Sequence, residues 1–203
     1  MERLSARAAR SAFGSLVRVR AIVGPSGPPT NDRGDALDPD VHAFLALLEQ
    51  RGRFDPPRPV GAARREYDVL GPLMDLPRRP LARIDDLTIE GAAGRLRARL
   101  YVPRESREPM RGLVWMHGGG FVIGSLRSHD HALRAIAAEA DAVVVAIDYR
   151  MGPEHRFPAA HDDALAAFRW VWREAAALGI DRTRLGIGGD SAGGNLATST
   201  CLA

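Results

Sequence analysis

The chain has 203 residues, 45% hydrophobic and 26% charged. That balance suits one globular domain with a sizeable core and excludes a disordered or fibrous chain. Its 28 basic residues, all Arg, are interspersed with 25 acids for a net charge of +3. No basic stripe forms, so nucleic acid is not an expected partner.

Met1 to Gly24 form a basic stretch, with Arg3, Arg7, Arg10, Arg18 and Arg20 against Glu2. Its apolar segments are short and broken by Arg, which reads as an extension rather than a leader sequence. No apolar run in the chain approaches the roughly 20 residues needed to span a bilayer, and nothing firm points to a membrane. Pro25 to Asp38 is rich in Gly, Pro, Asn and Asp and reads as a linker.

Asp38 is the predicted N-cap of a first helix, with Pro39 at its first position. Val41, Phe44, Leu45 and Leu48 follow at helical spacing, and Gly52 ends the run. A second helix is predicted over Val60 to Met74. Both helices are read as packing elements, with a lid over a site as the alternative.

From Ala82 the pattern changes. Ile84 to Glu90 and Leu96 to Val102 are predicted strands, with Gly91 and Gly94 marking the turn between them. Leu113 to Met116 is a short strand ending at His117. Leu133, Ile136 and Ala137 mark a helix starting near Ser128. Ala142 to Ile147 reads AVVVAI, a strand buried on both faces. Ala160, Ala164, Phe168, Val171 and Trp172 line the apolar face of a helix. Leu185 to Gly188 is read as another buried strand, and a helix follows from Ala192. A hairpin followed by strand–helix repeats predicts an α/β layered sheet.

Two motifs carry chemistry. Gly189-Asp190-Ser191-Ala192-Gly193 fits G-x-S-x-G between a predicted strand and a predicted helix. A serine on so sharp a turn projects its hydroxyl from the edge of the sheet, and Gly189 and Gly193 leave room for strand and helix to approach. Ser191 is the candidate nucleophile. The second motif, His117-Gly118-Gly119-Gly120, also leaves a strand end. Glycines there can turn backbone N–H groups toward one point, where they stabilise the charge that develops in acyl transfer. Gly118, Gly119 and Ala192 are the expected donors, with Gly120 and Asp190 in support. A phosphate-binding loop is the competing reading, but its lysine pattern is absent.

His117 is expected to order the donor loop by hydrogen bonding, with a general-base role as the alternative. His42, His129, His131, His155 and His161 show no convincing metal-ligand spacing and read as surface or structural residues. The solitary Cys201 excludes an internal disulfide and a thiolate cluster. A reducing, cytoplasmic location is expected. No metal or cofactor is implied.

Together the two motifs resemble the hormone-sensitive-lipase-like family of α/β-hydrolases, the bacterial carboxylesterases and lipases with an HGGG loop. The likeness extends to Asp148-Tyr149-Arg150, to Gly152-Pro153-Glu154 and Phe157-Pro158-Ala159-Ala160, and to Gly189-Asp190-Ser191-Ala192-Gly193-Gly194-Asn195. Met151 and Gly152 stand where the family more often has Leu and Ala. The resemblance implies a serine carboxylic-ester hydrolase that forms an acyl-enzyme from short to medium acyl esters, with small-molecule esters as its partners.

It also implies a triad in the order Ser, acid, His. None of the residues after Ser191 in this chain is Asp, Glu or His. The expectation is therefore the N-terminal part of an α/β-hydrolase sheet: an antiparallel hairpin, then parallel strands with helices on both faces, and the last strands missing. Its parts would be a basic extension and linker over 1–36, a helical cap over 37–80 and an incomplete core over 81–203. The chain alone is expected to be inactive. A non-catalytic small-ligand binder of the same fold and an inactive remnant are the alternatives.

Overall fold

The computed structural model describes residues 27–39, 41–42, 45–46, 59–74 and 77–203. The chain divides into two units, Met1–Pro59 and Val60–Ala203. The basic stretch lies outside the described residues, as do Phe44 and Leu48 of the first predicted helix.

In the first unit, the segment read as a linker holds a closed turn. The Asn31 side-chain oxygen accepts from the Arg33 and Asp35 N–H groups, both at 2.9 Å, and Leu37 N–H donates to Pro29 O at 2.9 Å. The described residues of the first predicted helix are helical. Its cap is the expected one: the Asp38 carboxylate accepts from Val41 N–H at 3.3 Å.

The second unit begins with α1 (Val60–Met74), over the predicted range. The hairpin β1 (Arg83–Gly91) and β2 (Gly94–Val102) follows, then β3 (Met110–Met116), α2 (Asp130–Ala140) and β4 (Ala142–Asp148). Next come α3 (Ala159–Arg173), β5 (Ile180–Gly189) and α4 (Ala192–Leu202). The strands form one sheet in the order β1-β2-β4-β3-β5. β1 pairs with β2 and β2 with β4 antiparallel, whereas β3 runs parallel to both β4 and β5.

β4 explains why its sequence is continuously apolar. Val143, Val145 and Ile147 face a core closed by Ala160, Ala164 and Val171 of α3. Val144 and Ala146 face the opposite core, closed by Leu133 and Ala137 of α2. Each buried valine contributes about 1.5–3 kcal/mol, and a polar residue anywhere in the run would meet a dry face. α2 is further fixed by Asp130 at its start, a buried carboxylate that accepts from Arg134 at 2.8 Å, Tyr101 at 3.3 Å and Arg99 at 3.5 Å. Burial and the Asp130 charge push the Tyr101 phenol up, so it stays a donor.

Two expectations are corrected. β5 is not a fully buried strand: residues 182–184 and Gly186 are exposed and Leu185 to Gly189 are otherwise half-buried. Its only paired neighbour is β3, so among the described residues it is a sheet edge. Trp172 lies on α3 but is 46% exposed, its ring covered by the Arg182 guanidinium at 5.1 Å. Among the described residues, no helix is long and apolar enough to cross a membrane.

Candidate active site

Met116 and Gly189 are paired at the ends of the parallel strands β3 and β5. The chain therefore leaves both strands side by side, into His117–Gly120 on one and Asp190–Ser191 on the other. Ser191 sits between β5 and α4 with φ 52 and ψ −115, outside the favoured regions for a side-chain-bearing residue. Such a backbone costs on the order of 1–3 kcal/mol and persists only where its surroundings enforce it.

The enforcement is steric. A Cβ on Gly193 would collide with the Met116 carbonyl oxygen, and one on Gly189 would collide with the Gly193 backbone. α4 thus begins in backbone contact with β3, and the turn through Asp190 and Ser191 has no slack. Two bonds finish it: Gly193 N–H donates to Asp190 O at 2.8 Å and Asn195 N–H to Ser191 O at 3.1 Å. Ser191 is exposed, whereas Ala192 and Gly193 are buried.

The glycine loop is tied to this turn by a bond that changes the expected donor set. Gly118 N–H donates to Asp190 Oδ1 at 2.9 Å. Gly118 is therefore an anchor, not a free donor, because its single N–H already has a carboxylate acceptor. The N–H groups of Gly119, Gly120 and Ala192 have no acceptor among the described residues. Gly119 needs its φ of 120: the turn it opens is closed by Val122 and Ile123 N–H bonds to Gly119 O at 3.1 and 3.0 Å.

His117 is 2% exposed, and burial pushes its pKa down to about 4. It is neutral near pH 7. Nδ1 carries the proton and donates to Gly118 O at 2.8 Å, while Nε2 is buried without a partner among the described residues. The ring stacks on Tyr149 with centroids 4.4 Å apart, and Tyr149 Oη donates to His117 O at 2.6 Å. Burial raises the Tyr149 pKa, so the phenol keeps its proton. A ring locked in this way, with its pKa so low, is a poor general base.

His129, read from sequence as a surface or structural residue, lies against the elbow. Its Nε2 lies 3.4 Å from Asp190 Oδ2 and its Nδ1 2.9 Å from Ser128 Oγ. Burial pushes the Asp190 carboxyl up, but the His129 ring and the Gly118 amide outweigh it and leave the pKa below the ordinary value. Arg64 was also missed. It reaches from α1 to the glycine loop. Their sequence separations from their partners, 61 residues for His129 and 58 for Arg64, leave no local signal. His161 packs against Phe121 with ring centroids 5.9 Å apart and places its Nε2 3.1 Å from Asn195 Oδ1; among the described residues no group of three or more His, Cys, Asp or Glu could hold a metal ion.

Behind the site, Asp163 on α3 is fully buried. It accepts from the Arg150 N–H at 3.1 Å and from Arg150 Nε and Nη2 at 2.8 and 2.9 Å. That clamp fixes the segment after β4 against α3.

The family model for the alpha/beta hydrolase fold matches residues 113–203, which include both loops. The matched part has the α/β-hydrolase fold, and the chain is similar to hormone-sensitive-lipase-like esterases. Over 180 residues it is 40% identical to the esterase LipI of Mycobacterium tuberculosis, covering 85% of this chain and 53% of that protein. It is 41% identical over 171 residues to an ethyl acetate hydrolase of Pseudomonas putida, covering 80% and 54%. Among solved structures, a hyperthermophilic esterase of Pyrobaculum calidifontis superposes with a TM-score of 0.76 at 40% identity, covering 82% of this chain and 53% of that one. The chain thus spans about half the length of these relatives.

Proposed function

We propose that this chain carries the nucleophile and oxyanion donors of a serine carboxylic-ester hydrolase acting on short to medium acyl esters. Ser191 attacks the acyl carbonyl. The N–H groups of Gly119, Gly120 and Ala192 take the charge that develops on its oxygen, the alcohol leaves, and water releases the acid from the acyl-enzyme. Gly118 and Asp190 fasten the donor loop to the elbow. His117 orders the loop. We assign no general base within this chain: His117 is neutral and locked, and no Asp, Glu or His follows Ser191 in it. The observation that carries the reading is the strained Ser191 backbone beside a glycine loop in which the Gly119 and Gly120 N–H groups have no acceptor among the described residues. The names of the relatives support the substrate class.

The test is p-nitrophenyl acetate hydrolysis by the 203-residue chain and by a fusion of it to the remaining half of the Pyrobaculum esterase. The chain alone is expected to fall at least about 10⁴-fold below the full-length relative, the usual cost of lacking a triad member. The fusion is expected to regain hydrolysis and to lose it again with Ser191→Ala. Family-level turnover by the chain alone, abolished by Ser191→Ala, would place a base within it. A folded fusion that binds esters without cleaving them would favour a non-catalytic binder.

A further inference from the structure

We propose that Arg64 on α1 is a positioning residue for the oxyanion loop, an inference that rests on the function proposed above. Its Nε donates to Val122 O at 2.7 Å and its Nη2 to Gly152 O at 2.7 Å. Nη1 and Nη2 also grip the two Glu154 carboxylate oxygens at 2.9 and 2.8 Å. One guanidinium thereby joins three segments: α1, the loop leaving β3 and the loop leaving β4. The Arg64 hydrogen bonds in turn hold the Glu154 carboxyl below its ordinary pKa.

The link to the donors is short. Phe121, between Gly120 and Val122, has φ 62, a left-handed backbone rare for a residue with a side chain. Its carbonyl accepts from Gly152 N–H at 2.8 Å, and the next carbonyl, Val122 O, is the one Arg64 holds. Val122 N–H closes back on Gly119 O at 3.1 Å. Any shift of Val122 is therefore carried through one tight turn to the N–H groups of Gly119 and Gly120. One helical turn further along α1, Asp68 accepts from Ser125 Oγ at 2.5 Å and pins the other end of the loop. α1 is thus more than packing. A lysine has no planar fork and cannot meet these acceptors together.

The test is the rate at which a fluorophosphonate modifies Ser191 at pH 9, mapped by peptide mass spectrometry on the full chain. Arg64→Ala and Arg64→Met are expected to slow it by about 10- to 100-fold, since a misplacement of about 1 Å can cost that much. Arg64→Lys is expected to recover only part of the rate. Added guanidinium chloride, in the millimolar range, is expected to speed the Arg64→Ala reaction and leave the wild type unchanged. Melting curves on each variant accompany the rates. Wild-type rates in Arg64→Ala and Arg64→Met would overturn the positioning role and leave the nucleophile standing. Slow rates with lowered melting and no guanidinium rescue would show a purely structural arginine and overturn it too. If the alanine and methionine variants fail to fold, a wild-type rate in Arg64→Lys overturns the proposal and a slowed rate supports it. No modification of Ser191 in the wild type would overturn both this proposal and the proposed function.

Discussion

Gly193→Ala is expected to destabilise the fold by about 3 kcal/mol or more, at the upper end of what overpacking costs. The added Cβ would collide with Met116 O and sit 2.9 Å from His117 O. Both obstacles are backbone atoms, one in β3 and one at the head of the glycine loop, so no side chain can swing aside. Relief requires α4 to move off β3, which relaxes the Ser191 turn. A drop of roughly 6–12 °C in Tm follows from the size of the chain. Gly194→Ala is the control. There the Cβ meets Gly189 O at 3.3 Å, and alanine's helix preference of about 1 kcal/mol offsets the tight contact. Thermal melts of the two variants beside the wild type check the contrast, and equal melting would refute the steric account of the elbow.

Lowering the pH from 6.5 to 4 is expected to remove about 3 kcal/mol of stability through His117 alone. Burial holds its folded pKa at about 4, whereas the unfolded chain titrates near 6.5. Between those values the unfolded state binds a proton that the native state refuses. Stability therefore rises with pH across that window, by about 1.4 kcal/mol per unit. The contribution is fully present above about pH 6.5 and is lost progressively toward pH 4. Asp190 acts lower: its depressed pKa stabilises the fold above the unfolded carboxylate value, and that contribution is lost only below about pH 4. Urea midpoints measured at half-unit steps read the slope. His117→Asn, which cannot titrate, should flatten it. A wild-type profile already flat between pH 6.5 and 5 would mean that the ring is not held neutral.

The elements that could be read from sequence are those whose cause is local. AVVVAI has no polar alternation because both faces of β4 are covered. The Asp38-Pro39 pair caps a helix by rules confined to one turn. G-x-S-x-G can be read because the close approach of Gly193 to β3 forbids any larger residue. What failed depended on partners remote in sequence. Nothing local shows that Gly118 N–H turns toward Asp190 while the Gly119 and Gly120 N–H groups keep no acceptor among the described residues. His129 and Arg64 look like ordinary surface residues until the sheet brings β3, β4 and β5 together. The half-exposure of β5 follows from its place in the strand order, and its apolar run carries no mark of that. Trp172 fits the helix period, yet it lies at the rim, where a guanidinium rather than the core covers it.

Mapping the site of fluorophosphonate attack on the wild-type chain tests the central claim most directly. At pH 9 hydroxide can take the proton that a general base would otherwise remove, so the reaction reports on the elbow and its donors. The folded chain is expected to carry one adduct, on Ser191, formed at least about 100-fold faster than on any other serine, the scale of one preorganised donor. Ser191→Ala should abolish that adduct, and the urea-unfolded chain should show no preference among its serines. Adducts spread evenly over the serines of the folded chain, or an unmodified Ser191, would contradict the assignment of Ser191 as the nucleophile.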